Sequence, residues 1–120
     1  MNLQLGEVQS FVSDLTVAKK FYADTLGLDL VDEGHHWLIF DINGVEFIIM
    51  RVGNPGRLKK SYGTECGTVL CLQSENIHRD YETLKRRGVN FFSEIIEVSP
   101  GRFYIPFQDP DGNLLELIQK

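Results

Sequence analysis

Glu116 is the residue whose surroundings most demand chemistry. It stands among Leu114, Leu115, Leu117 and Ile118, a run apolar enough to be buried on both faces of a strand. An ionised carboxylate in such a place is costly unless it is paired, hydrogen-bonded or wetted by a cavity. Glu116 therefore reads as a catalytic general acid/base or a metal ligand, and the alternative is an idle carboxylate on a moist cavity floor. Arg102 and Tyr104 precede it in the neighbouring strand segment and could clamp an anionic ligand, since a guanidinium matches carboxylate or phosphate bidentately. A one-residue change of register would turn both outward instead. Phe11, Trp37, Phe47, Tyr62, Phe103 and Phe107 supply more aromatic area than two helices need to cover. Part of it is expected to line an apolar cup for a small organic molecule, with Phe11 and Trp37 as ligand-binding candidates.

Other reactive residues carry less. His35 and His36 are adjacent, so on a strand their imidazoles point to opposite faces and cannot serve one metal. They read as surface turn residues, and His78 as an exposed residue in the first turn of a helix. Cys71 reads as a core residue and Cys66 as an incidental linker thiol, neither with a histidine nearby in sequence to activate it. Their spacing fits neither a CxxC redox pair nor a four-ligand zinc site. There is no phosphate-binding glycine loop, no GxSxG turn and no HExxH helix.

The elements that must position these residues fit a chain of 120 residues, enough for one domain or two intimately packed half-domains. Hydrophobic residues make up 42% and charged residues 24%, a globular balance rather than a disordered one. Twelve Lys and Arg against 17 Asp and Glu give a net charge of −5, which disfavours a nucleic-acid partner. The longest apolar clusters, Trp37–Phe40 and Phe47–Met50, fall far short of the roughly 20 residues a membrane helix needs. The first residues show no basic stretch followed by an apolar one, so neither a secretion signal nor membrane association is expected. With only two cysteines, the expected setting is cytoplasmic.

The pattern reads as one unit written twice. Glu7–Val12 suits a strand, and Leu15, Ala18, Phe21, Tyr22 and Leu26 follow at helical spacing, with Asp14 at the start and Gly27 at the end. Leu28–Val31, Trp37–Asp41 and Val45–Val52 are strand candidates, the last two joined through Asn43-Gly44, a hairpin signal. Thr68–Gln73 restarts the order. Ile77, Tyr81 and Leu84 recur at helical spacing up to Gly88, and Val89–Phe92, Arg102–Phe107 and Asn113–Ile118 supply the strands. Asp14 and Glu75, like Gly27 and Gly88, lie 61 residues apart (75 − 14 and 88 − 27). Gly44 and Gly112 lie 68 apart (112 − 44), so the second copy carries about seven extra residues before its last hairpin. The result is a single α+β domain over 1–120: module one about 5–52, a linker about 53–66 and module two about 67–118. Arg51 just before the linker, and Arg57, Lys59 and Lys60 within it, suit a solvated connection or a basic lid over an anionic ligand.

Phe11-Val12-Ser13-Asp14-Leu15, Phe21-Tyr22, Leu26-Gly27 and above all the closing Asp109-Pro110-Asp111-Gly112-Asn113-Leu114-Leu115-Glu116-Leu117-Ile118 resemble the vicinal oxygen chelate superfamily. That superfamily includes glyoxalase I, bleomycin- and fosfomycin-resistance proteins and extradiol dioxygenases, and the resemblance spans both repeats. It implies paired strand–helix–three-strand modules in an open, incomplete barrel, and a homodimer. It also implies metal ligands at Glu7, Ile48, Thr68 and Glu116. Only Glu7 and Glu116 keep plausible donors; Ile48 has no lone pair and Thr68 offers a neutral hydroxyl. Glu7 shares its parity with Gln9 and Phe11, and an exposed acid near a terminus is the plainer account of it. Glu46 shares parity with Ile48 and would replace the missing donor only if its strand shifted by two residues.

Two readings follow from the resemblance. One is a small-molecule-binding protein with a degenerate metal site and no cofactor. The other is a divalent-metal-dependent lyase, isomerase or dioxygenase in which Glu7 and Glu116 hold the ion.

Overall fold

Along the first strand, β1 (Glu7–Val12), the residues Val8, Ser10 and Val12 alternate with the exposed Glu7, Gln9 and Phe11, and Val12 is buried. The computed structural model describes residues 1–53 and 68–120. The linker expectation, with Arg57, Lys59, Lys60, Tyr62 and Cys66, lies largely outside the described residues. The chain divides into two units, Met1–Arg57 and Leu58–Lys120.

In unit one the Asp14 carboxylate accepts from the N–H groups of Thr16 (2.8 Å) and Val17 (3.1 Å) and so starts α1 (Leu15–Lys19). The sequence predicts a regular helix through Leu26. Instead the turn widens to a π-helix over Lys20–Thr25, with Leu26 N–H donating to Phe21 C=O at 2.9 Å. The wider turn lets the adjacent Phe21 and Tyr22 both be buried. Tyr22 is fully enclosed, its ring 6.0 Å from Phe40 and 5.4 Å from Phe47, centroid to centroid. β2 (Asp29–Glu33), β3 (Trp37–Ile42) and β4 (Val45–Arg51) complete the sheet in the order β1-β4-β3-β2, with β1 parallel to β4. Asn43 (φ 52°) and Gly44 (φ 85°) take the two left-handed positions of the expected hairpin turn.

Unit two repeats the order: β5 (Leu70–Gln73), α2 (Ile77–Arg86), β6 (Asn90–Phe91), β7 (Ile96–Ser99), β8 (Arg102–Gln108) and β9 (Leu114–Gln119). Its sheet runs β5-β9-β8-β6, with β7 also on β8 and β5 parallel to β9. The module has four strands after its helix rather than the expected three, because β7 forms within the extra residues before the last hairpin. Pro106 explains why β6 and β7 are separate strands. Phe92 N–H donates to Pro106 C=O (3.3 Å), so proline's missing donor lies on that same edge, and regular pairing stops there.

Caps and cross-links hold α2 to its sheet. Asn76 accepts from Arg79 N–H (3.1 Å), and the Gln119 side-chain carbonyl accepts from Ile77 N–H (2.7 Å), tying the end of β9 to the start of the helix. Ile77, Tyr81 and Leu84 face inward, as their spacing predicts, and the buried sheet residues of the unit include Ile105, Phe107, Leu115 and Leu117. Truncating such a ring to alanine costs about 3–5 kcal/mol. Among the described residues no helix is long and apolar enough to cross a membrane.

Candidate functional site

Each sheet buries one face under its helix and leaves the other open, and the predicted site residues fall on the open faces. In unit two the turn Asp109–Asn113 delivers Glu116. Asp109, buried, accepts at Oδ1 from the N–H groups of Asp111 (2.9 Å) and Asn113 (2.8 Å), and at Oδ2 from Asn113 Nδ2 (2.8 Å). Gly112 sits at φ 86°. Strand alternation then buries Leu115 and Leu117 and leaves Leu114, Glu116 and Ile118 half-buried on the open side. Glu116 is thus not enclosed on both faces.

Its cross-strand neighbours are Cys71 on β5 and Pro106 on β8. The Cys71 thiol points at Glu116 Oε1 (3.9 Å) and the Val69 carbonyl (3.7 Å). Partial burial, the Glu116 charge and the hydrogen bond to Glu116 push the thiol pKa up. Cys71 is therefore an exposed open-face residue, not the core residue expected from sequence. It is a protonated donor toward Glu116 rather than a ready nucleophile.

The structure settles the parity of β8. Phe103, Ile105 and Phe107 take the helix side, with Phe103 stacked edge-on against His78 (5.2 Å). Tyr104, opposite Ile118, and Pro106, opposite Glu116, take the open side, and alternation puts Arg102 with them. Tyr104 stands one row from Glu116. Arg102 lies four residues from Pro106, about 13 Å along the strand, exposed at the far end of the face.

On the open face of unit one, Phe11 pairs with Met50 and Met50 with Trp37, an aromatic–thioether–aromatic row across three strands. Phe11 and Trp37 are each 37% exposed. The indole lies against the α-carbon of Gly34, where a Cβ would collide with the ring. The next row is Gln9, Ile48, Ile39 and Asp32, and beyond it come Glu7, Glu46, Asp41 and Asp29, four carboxylates side by side. Glu7 accepts from Gln9 Nε2 at 2.7 Å. Phe11 and Trp37 thus belong to one row, and Met50, missed in the sequence, joins them. Phe47 and Phe107 lie in the helix-covered cores and do not line an open face.

The register corrects the ligand positions that the resemblance implies. Gln9 pairs with Ile48 as Cys71 pairs with Glu116, an offset of 62 (71 − 9) for the first strands rather than 61. The counterpart of Glu7 is therefore Val69, and Thr68 precedes β5. β1, β3 and β4 pair without a shift, so Glu46 stays a row away from Ile48 and does not replace the missing donor. Two of the four positions are then aliphatic. Among the described residues no three His, Cys, Asp or Glu side chains converge as a metal site needs. This donor set does not fit a firmly held catalytic ion. His35 and His36 are exposed, and His36 Nδ1 meets Arg51 Nη2 at 3.0 Å.

Residues 4–117 match the model of the Glyoxalase/Bleomycin resistance protein/Dioxygenase superfamily. A probable lactoylglutathione lyase of Vibrio parahaemolyticus is 31% identical over 117 residues, covering 90% of this chain and 84% of that one. The uncharacterized protein YetH of Bacillus subtilis is 29% identical over 119 residues, 95% of this chain and 96% of that one. The crystal structure of the fosfomycin resistance protein FosX from Listeria monocytogenes superposes with a TM-score of 0.78 at 24% identity, covering 98% of this chain and 93% of that one. This last likeness carries the fold: two α+β modules without a closed barrel.

Proposed function

The chain belongs to the Glyoxalase/Bleomycin resistance protein/Dioxygenase superfamily, and from that premise we propose that it binds a small organic molecule on its open sheet faces without a resident metal. The observation that carries this reading is Ile48, an aliphatic side chain opposite Gln9 and Ile39 where the sister sheet has Glu116. Next to it runs the Phe11–Met50–Trp37 row, an apolar surface left open to solvent. Covering it yields about 25 cal/mol per Å² of apolar area, and a stacked aromatic ligand adds roughly 0.5–1.5 kcal/mol. The open face of unit two offers polar groups of its own, Glu116 and Tyr104, with Glu116 as the candidate proton-transfer group. The expected assembly is a homodimer and the expected setting cytoplasmic.

Trp37 is the chain's single tryptophan, so its fluorescence reports the aromatic row directly. A screen of small aromatic and amphiphilic molecules should find one that shifts this emission saturably, with Phe11→Ala weakening the effect. Protein purified without chelator should carry substoichiometric divalent ion. Near-stoichiometric Mn, Ni, Fe or Zn, lost on Glu116→Gln, would overturn the reading. The relation to a probable lactoylglutathione lyase favours a second reading, a divalent-metal lyase using Glu7 and Glu116. Absence of any thermal stabilisation by excess divalent ion would count against that one.

A further inference from the structure

Apart from the open faces, unit two holds a cavity of about 450 Å³ along its edge strand, lined by Tyr81 and Lys85 of α2 and by the stretch Val89–Glu94. That volume is within the range of small-molecule sites. Its inner wall is aromatic: the Tyr81 and Phe91 rings meet edge to face at 4.8 Å, and Phe91 leans on Phe107 at 5.7 Å. Phe92 stands at the cavity 48% exposed, a large apolar group with much of its surface still in water. Two opposite charges border these rings. Lys85 Nζ lies 5.4 Å from the Tyr81 ring centroid, and Tyr81 Oη donates to Glu94 Oε2 at 3.4 Å. Lys85 interacts with the Tyr81 hydroxyl and lies in the field of Glu94, so the two opposite charges border one cavity and are linked through that hydroxyl.

We propose that this cavity is a second binding site, for a small zwitterion with an aromatic side chain, such as an α-amino acid. Its carboxylate meets Lys85, its ammonium group meets Glu94 and its ring covers Phe92. A lone cation or a lone anion would satisfy one of the two charges and leave the other facing apolar ligand surface. A zwitterion answers both, which is the basis of the selectivity. The proposal is independent of the open-face reading, because none of these residues belongs to the rows around Glu116 or Trp37.

The test is a chemical-shift titration of the full chain with L-phenylalanine, 2-phenylethylamine and 3-phenylpropionate. L-Phenylalanine should move the amides of residues 89–94 saturably, and each single-charge analogue should bind about tenfold more weakly or worse. Lys85→Met should erase the preference over the amine, and Glu94→Gln the preference over the acid. Both side chains are exposed, and an unchanged remaining spectrum verifies each variant's fold. Glu116→Gln should leave the titration as it was. Equal binding of the three probes, no saturable movement of residues 89–94 by L-phenylalanine, or loss of binding on Glu116→Gln would each overturn the proposal. Trp37 emission reads the open face separately, so the two readings fail independently.

Discussion

The two sheets share one strand order and differ in where they put charge. Unit one gathers Glu7, Glu46, Asp41 and Asp29 into a single end row and leaves the central pair Gln9–Ile48 uncharged. Unit two does the reverse. Its corresponding end row, Leu114, Gln108 and Asn90, is neutral and closed by an Asn90 Nδ2 to Gln108 Oε1 hydrogen bond of 2.9 Å, while the carboxylate sits at the centre, between Cys71 and Pro106. The backbone places equivalent positions on each open face, and the side chains decide which of them can do acid–base work. Sharing the fold of a metalloenzyme family therefore does not by itself supply a ligand set.

The turns that feed the two central positions differ in the same spirit and give the largest expected effect. Asn43 and Gly44 form their hairpin through backbone preference alone, so Asn43→Gly should change stability by no more than about 0.5 kcal/mol. Asp109 instead holds its turn with a buried side chain accepting three hydrogen bonds. Removing it leaves part-buried donors without their acceptor, and Asp109→Ala should cost about 2–3 kcal/mol in urea unfolding. A cost below about 1 kcal/mol would mean that the backbone alone carries both turns, and this contrast would vanish.

A second measurement sharpens the contrast between the central pairs. Cys71 keeps its proton through partial burial and then through the charge and hydrogen bond of Glu116. In a Cys66→Ser background, Glu116→Gln should speed iodoacetamide alkylation of Cys71 at mildly alkaline pH by up to about tenfold, the equivalent of one pKa unit or 1.4 kcal/mol. An unchanged rate would leave burial as the sole cause and uncouple the pair.

Much of this was legible from residue types, and the gaps have physical causes. The caps, the Asn43-Gly44 hairpin, the Asp109–Asn113 turn and the repeat itself announce their backbone conformations locally. Strand alternation suffices to bring Phe11 and Trp37 to one face. Parity in β8 was not legible, because Arg102 and Phe103 each suit either side until Phe103 is seen stacked on His78. Cys71 misled because a small apolar-looking residue between Leu70 and Leu72 resembles core, and only pairing with β9 shows that it lies beside Glu116. β7 is not marked by the sequence because Ile96-Glu97-Val98-Ser99, although alternating apolar and polar, is only four residues long, too short a run to separate an exposed strand from a loop. The zwitterion cavity joins a helix to a following edge segment, a juxtaposition no local pattern encodes.

Unit two also carries an acid-sensitive clasp with no described counterpart in unit one. Burial tends to raise the Asp80 carboxyl, but hydrogen bonds from Ser74 (2.5 Å) and Arg79 (3.0 Å), with the Arg79 charge, outweigh it and hold the pKa below its ordinary value. A depressed carboxylate stabilises the fold above its unfolded pKa of about 3.9, and that stability is lost as pH falls through the lower folded value. The group is substantially solvated, so the contribution should be about 1 kcal/mol or less. Stability of the parent should therefore fall more steeply than that of Asp80→Asn below about pH 4, measured by urea midpoints. Parallel curves would show the clasp to be indifferent.

The smallest effect probes the acidic row itself. Glu46 stands between Glu7 and Asp41 as direct cross-strand partners, an arrangement of like charges that opposes folding. Glu46→Gln should stabilise the protein by roughly 0.2–1 kcal/mol at low ionic strength, with the gain shrinking as the Debye length falls from about 30 Å at 0.01 M salt to 8 Å at 0.15 M. At the matching position of unit two, Leu114 meets Gln108 without any charge to relieve, so Leu114→Gln should show no such salt dependence. If Glu46→Gln changes nothing at low salt, the four carboxylates splay into solvent far enough to ignore one another. If the gain appears, the row is held at a cost to stability that the neutral row of the sister sheet does not bear.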